Sequence, residues 1–141
     1  MALGFRLPVD EIVQFLRDRL FASDPSDLVA LYHFGSSERG EARRDSDVDL
    51  AFLARHPTDA FRVFEAAQDL GMRIGRDIDL VDLSRSSTVF RAQVVATGRR
   101  VFTADPAAAE TFEMYTLSDY ARLQEERREV VQAFVDRYRE K

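Results

Sequence analysis

The amino-acid sequence predicts a protein of α/β or mixed α+β class, with a small mixed sheet flanked by helices. Short apolar stretches of strand length alternate along the chain with amphipathic stretches of helical periodicity. Turn and capping residues separate the two kinds of stretch. This alternation is typical of a sheet that is covered by helices.

The first half of the chain predicts three helices and two strands. Apolar residues at helical spacing predict a helix over Val9–Leu20, and the run LVALYHF predicts a strand over Leu28–Phe34. Residues 35–46 are polar and are expected to form a turn and a short helix. The run VDLAFLA predicts a second strand over Val48–Ala54. An amphipathic helix is predicted next, ending at Gly71.

The second half predicts four more elements: a strand over 78–83, a helix from Ser86 or Ser87 to Thr97, a short strand over 100–103, and a long helix from Asp105-Pro106 to the C-terminus. We expect a break in this last helix near residues 117–118. Its apolar residues form a stripe at helical spacing, for which core packing is the simpler interpretation. An exposed surface for docking a partner is the alternative hypothesis.

Length and composition indicate one domain with a proper core. The chain has 141 residues, of which 45% are hydrophobic. We expect a single domain over 1–141, with a core over about 9–105 and a helical segment over about 106–140. No stretch approaches the roughly 20 apolar residues of a membrane helix, and the N-terminal sequence lacks a signal-peptide pattern. The absence of cysteine excludes disulfides and thiolate metal sites, which is in keeping with the cytoplasm.

The charge balance argues against a general nucleic-acid-binding protein. The formal net charge is −5, whereas such proteins need a basic surface to displace the counterions of the phosphates. We therefore expect neither direct nucleic-acid binding nor membrane association.

Two aspartates at the head of the second strand are the first candidate site residues. Asp47 and Asp49 are two residues apart, so their side chains point to the same face of a strand. Two carboxylates this close repel each other unless a cation lies between them. Oxygen ligands without histidine or cysteine suit Mg²⁺ or Mn²⁺.

A glycine-serine pair precedes these aspartates and supplies a complementary feature. Gly35 allows close approach of a ligand to the main chain, and Ser36 offers a hydroxyl and an N–H. Backbone amides at a turn that leads into a helix form an anion site. A cation site beside a phosphate site predicts nucleotidyl or phosphoryl transfer.

A third carboxylate is available in the sequence DIDLVDL. Asp77 and Asp79 share one strand face, and Asp82 lies on the opposite face. If this strand neighbours the strand of Asp49, Asp79 completes the site as a metal ligand and candidate general base. Asp77 remains the alternative third ligand.

The spacing of these residues resembles a known family. Gly35-Ser36, ten residues, and then Asp47-Val48-Asp49 match the GS-x10-D-x-D signature of nucleotidyltransferases of the DNA polymerase beta superfamily. The stretch GSSERGEARRDSDVDL is similar to the minimal nucleotidyltransferase (MNT) subgroup, although Glu38 stands where that subgroup often has alanine. The matching residues are Gly35, Ser36, Arg39, Gly40, Ser46, Asp47, Asp49 and Leu50.

The resemblance implies a fold, an activity and a partner. The fold would be that of polymerase beta-like nucleotidyltransferases, with a long C-terminal helix. The protein would be the antitoxin of a type VII HEPN/MNT toxin–antitoxin module, which uses ATP and Mg²⁺, as two ions, to attach AMP to a tyrosine of a HEPN ribonuclease toxin. The implied roles are catalysis and metal binding by Asp47, Asp49 and Asp79, and nucleotide binding by Gly35, Ser36, Ser37 and Arg39.

Two other functions are compatible with the same residues. One is nucleotidyl transfer to a small hydroxyl compound such as an antibiotic, although the chain offers no obvious second domain for an acceptor pocket. The other is an antitoxin that inhibits its toxin by binding alone. Three carboxylates around one point argue against pure binding, because a binder gains nothing from them.

Overall fold

A four-stranded sheet with helices on both faces forms the centre of the computed structural model, which describes residues 6–35 and 47–139. The helices and strands are, in chain order, α1 (Val9–Leu20), β1 (Leu28–Phe34), β2 (Val48–Ala54), α2 (Ala60–Ile74), β3 (Ile78–Asp82), α3 (Thr88–Thr97), β4 (Arg99–Thr103) and α4 (Pro106–Arg139). Short 3₁₀ turns lie at Pro25–Asp27 and Leu83–Arg85. The predicted mixed α/β class is confirmed.

The strand order in the sheet is β3-β2-β1-β4. β1 is antiparallel to both of its neighbours, whereas β2 and β3 are parallel. Parallel strands need a crossover connection, and α2 supplies it here. The end of β1 therefore meets the starts of β2 and β3 at one edge of the molecule.

Alternation along the strands gives the sheet two buried faces. One face packs against α1 and α2 and contains Leu31, Leu50 and Phe52. The other packs against α3 and α4 and contains Tyr32 and Ala51. Since both faces of β2 are buried, six of its seven residues are buried, and Asp49 alone is half-buried.

Two predicted helix boundaries were wrong. α2 passes through Gly71 and ends at Ile74, where Gly75 adopts a left-handed φ of 78° as the C-cap. The last helix is continuous over 34 residues and shows no break at 117–118, because Thr116 is buried and keeps this part of the helix against the body. The short helix expected within 35–46 falls outside the described residues, apart from Gly35.

α4 is attached to the sheet mainly by its N-terminal half. Tyr32, which is buried, donates a hydrogen bond of 2.6 Å to Glu113, and Arg100 donates one of 2.9 Å to the same carboxylate oxygen. Farther along, the apolar side chains of Val130, Phe134 and others are exposed. Among residues 6–35 and 47–139, no helix has both the length and the apolar character needed to cross a membrane.

We expect Tyr32→Phe to lower the free energy of unfolding by about 1 kcal/mol at pH 7, because the partly buried hydrogen bond to Glu113 is lost. Burial raises the pKa of Tyr32 above its usual value of 10.0. Above pH 10 the unfolded wild type releases this proton and the folded wild type keeps it, so wild-type stability falls as pH rises. Urea unfolding at pH 7 and above pH 10 should show that the difference in free energy of unfolding between the wild type and Tyr32→Phe becomes smaller at the higher pH. An unchanged difference between the two pH values would contradict this interpretation.

Candidate active site

Gly35 lies against Asp49 at the edge where β1 ends. The last residue of β1, Phe34, pairs with Asp49 of β2. Gly35 follows with a left-handed φ of 77°, and a Cβ atom at this position would collide with the Asp49 carboxylate. A glycine is therefore required here, both for the backbone angle and for the close approach of the carboxylate.

Asp49 and Asp79 are direct neighbours on adjacent strands. The parallel register of β2 and β3 places Asp49 opposite Asp79, and adjacent strands lie about 4.8 Å apart. Parallel neighbours in register point to the same face of the sheet, which brings the two carboxylates together. Asp49 is half-buried and Asp79 is exposed, so the pair is open to a ligand on the side of Asp79.

Asp47 and Asp77 lie just before these strands. The N–H of Val48 donates a 2.8 Å hydrogen bond to the carbonyl of Asp77, and Val48 pairs with Ile78. Extending this register by one residue sets Asp47 beside Asp77, and Asp49 remains beside Asp79. Of the two candidate third carboxylates, Asp79 is thus the one that neighbours Asp49.

Asp82 has a structural environment. Its buried side chain accepts hydrogen bonds of 3.1 Å from the hydroxyl of Thr58 and 3.0 Å from the N–H of Ser84. Arg85 lies 3.7 Å from the same carboxylate. Asp82 therefore caps the turn that follows β3, on the face of the sheet opposite to Asp79, as the strand alternation indicated.

A groove of about 500 Å³ runs along β3 and was not foreseen from the sequence. Val63, Phe64 and Ala67 of α2 form one wall, and Asp77 and Asp79 lie on the other side. The signal that could have revealed it is Phe64, a large apolar residue that the helical pattern of α2 places beside Val63, toward the edge of the buried stripe. The groove reaches the carboxylates of Asp47, Asp77 and Asp79.

The structure thus brings Gly35, Asp47, Asp49 and Asp79 to one edge of the sheet. The other predicted nucleotide-binding residues lie outside the described residues; they are Ser36, Ser37 and Arg39. For these three, the roles implied by the resemblance stay predictions.

The chemistry of the carboxylates suits a hard divalent cation. Within 6–35 and 47–139, no three acidic or histidine side chains converge to form a complete metal site by themselves. Mg²⁺ commonly joins one or two carboxylates to substrate phosphates and water. The neighbouring oxygens of Asp49 and Asp79 fit this manner of binding, in which the nucleotide supplies the remaining ligands.

Comparison with known proteins gives consistent matches. The model of the polymerase beta nucleotidyltransferase family matches residues 19–107. The protein adenylyltransferase MntA of Shewanella oneidensis is 36% identical over 126 residues, which cover 89% of this chain and 86% of that protein. One chain of a solved toxin–antitoxin complex with AMP-PNP is 35% identical with a TM-score of 0.78, covering 92% of this chain and 99% of that chain.

A further similar structure contains a modified partner. One chain of a solved complex of tri-AMPylated Shewanella oneidensis HEPN toxin with MNT antitoxin is 32% identical, with a TM-score of 0.70. The match covers 89% of this chain and 94% of that chain. These likenesses extend over nearly the whole chain, and the range that the family model matches includes the carboxylates.

We expect Gly35→Ala to destabilise the protein more than Gly75→Ala. Both glycines have φ near 78°, so alanine at either position costs about 1–2 kcal/mol of left-handed strain. A Cβ at Gly75 meets no atom within 4 Å, whereas one at Gly35 displaces Asp49, which adds about 1–3 kcal/mol. Urea unfolding of both variants measures the difference. Equal decreases in the free energy of unfolding of the two variants would show that Asp49 is not held against Gly35.

Proposed function

The chain belongs to the polymerase beta nucleotidyltransferase family, and we propose that it is a HEPN/MNT antitoxin that transfers AMP from ATP to a tyrosine of its cognate HEPN toxin. The observation that carries this proposal is the in-register pairing of Asp49 with Asp79 beside Gly35. The similarity to MntA and to an MNT antitoxin bound to an AMPylated toxin supports it. The predicted family and subgroup are confirmed.

The proposed positions of the substrates follow from the strand order. The triphosphate of ATP lies at Gly35, where main-chain amides would form the anion site that the Gly35-Ser36 pair predicts. Asp47, Asp49 and Asp79 would hold Mg²⁺, as two ions. When bound, Mg²⁺ neutralises the charge on the phosphates and holds them in line for attack. Nucleotide binding by Ser36, Ser37 and Arg39 is part of the same proposal.

The transfer step follows ordinary phosphoryl-transfer chemistry. The tyrosine oxygen attacks the α-phosphorus, and a new O–P bond forms. The bond from the α-phosphorus to the bridging oxygen breaks, and pyrophosphate leaves with the electron pair. Asp79 accepts the phenolic proton, because its carboxylate on β3 is exposed and a substrate hydroxyl can reach it. Asp49, which is half-buried on β2 between β1 and β3, would hold the cation that positions the phosphates.

The whole chain acts as a single nucleotidyltransferase domain, in which the core over about 9–105 carries the site and α4 extends from it. The partner is the cognate HEPN toxin, and the site of action is the cytoplasm, where ATP is plentiful. The exposed apolar residues of α4 support the hypothesis that this helix docks a partner.

Replacing Asp79 should separate its role from that of Asp77. We expect Asp79→Asn to slow AMP transfer to the toxin by roughly 10²–10⁴-fold, because the proton acceptor is lost. The matched control Asp77→Asn should slow transfer far less, because Asp77 lies before β3 beside Asp47 and is not paired with Asp49. The measurement is the incorporation of label from α-labelled ATP into purified toxin. A severe loss in Asp77→Asn with an active Asp79→Asn would reverse the assignment.

Removing divalent cations should abolish transfer. Without a cation, Asp49 and Asp79 repel the triphosphate and leave its charge unneutralised. We expect EDTA to stop label incorporation, and an excess of Mg²⁺ or Mn²⁺ to restore it. Nucleotide binding measured by calorimetry should weaken in parallel. Full transfer by extensively chelated protein would contradict metal binding by these carboxylates.

A further inference from the structure

The outer side of β3 is one of the two edges of the sheet. Among the strands that the structure describes, β3 and β4 are the edge strands, and no strand pairs with the outer side of β3. The N–H of Val48 on β2 bonds to the carbonyl of Asp77. The main-chain N–H and C=O groups of Asp77, and of Asp79 two residues farther along β3, therefore point toward β2. In a parallel ladder the N–H and C=O groups of Ile78 and Leu80 then point away from β2, to the side on which the groove lies.

The opposite wall of the groove is apolar and contains an exposed aromatic ring. Val63, Phe64 and Ala67 of α2 line it, and Phe64 is 60% exposed. The volume of about 500 Å³ lies within the range typical of ligand sites. A free strand edge that faces an apolar wall is the arrangement by which proteins bind extended peptides as an added strand.

The groove is continuous with the carboxylates. Asp47, Asp77 and Asp79 line the same space as Phe64. A chain segment that follows β3 therefore passes directly beside Asp79. This continuity connects a peptide-binding surface with the point at which the proposed reaction takes place.

We propose that this groove binds an extended segment of the toxin as an additional strand beside β3, and that this segment carries the acceptor tyrosine. The inference rests on the proposed function and names the acceptor site that it requires. Main-chain groups of Ile78 and Leu80 pair with the segment, and Phe64 packs against its apolar side chains. The tyrosine hydroxyl then reaches Asp79.

The order of the strands favours the acceptor over the nucleotide as the occupant. Gly35 lies on the β1 side of Asp49, and the groove lies on the far side of Asp79. In-line displacement needs the attacking and leaving oxygens on opposite sides of the phosphorus. With the pyrophosphate end at Gly35, the attacking hydroxyl has to approach from the side of the groove.

The test is the steady-state kinetics of AMP transfer by the full chain to its purified cognate toxin with ATP and Mg²⁺. We expect Phe64→Ser to raise KM for the toxin about tenfold, because apolar burial is lost, with kcat and KM for ATP nearly unchanged. The matched control is Phe61→Ser, since Phe61 is also on α2 and 66% exposed but does not line the groove. It should change KM by less than about twofold.

Hydrogen exchange gives a second, independent readout. With toxin and a non-hydrolysable ATP analogue, the amides of Ile78 and Leu80 should exchange more slowly than in the free chain, as strand addition requires. Unchanged exchange at both amides would overturn strand addition.

The other outcomes separate the competing occupants. An unchanged KM for the toxin in Phe64→Ser, with transfer intact, would overturn this inference and leave the proposed function standing. A raised KM for ATP instead would assign the groove to the nucleotide. Conversion of a dimer of the free chain to a monomer by Phe64→Ser would assign it to a second copy. Absence of transfer by the wild type would overturn the proposed function and this inference with it.

Discussion

The parallel pairing of β2 with β3 is the constraint on which the candidate site depends. Each of these strands contributes one carboxylate, and only their register places Asp49 beside Asp79. A shift of one residue would turn the β3 side chains to the other face of the sheet. Asp79 would then point toward the apolar core around α1 and α2, where an unpaired charge is costly.

Interactions at both ends of β3 keep this register. At its start, the carbonyl of Asp77 accepts the hydrogen bond from Val48. At its end, Asp82 is buried and bonded to Thr58, in the loop that joins β2 to α2. Between them, Leu80 packs into the core shared with α1 and α2. The structural aspartate Asp82 thus holds the strand that presents the candidate catalytic residue Asp79.

The local pattern of the sequence is enough to predict some of these features and not others. The two-residue spacing of Asp47 and Asp49, and the opposite orientation of Asp82, depend only on strand alternation, so they could be derived without the structure. The adjacency of β2 and β3 depends on strand order, so the choice between Asp77 and Asp79 needed the register. The groove beside Phe64 needed the packing of α2 on β3. The predicted end of α2 at Gly71 was wrong, because glycine follows the last residue of many helices but also occurs within helices.

The central claim is that the carboxylates at this edge make the protein an AMP-transferring antitoxin. The most direct test is the intact mass of the cognate toxin after co-expression with the wild-type chain or with Asp47→Ala/Asp49→Ala. The account predicts mass increments equal to AMP with the wild type and none with the variant. An unmodified toxin that co-purifies with the wild-type chain would contradict it and would indicate inhibition by binding alone.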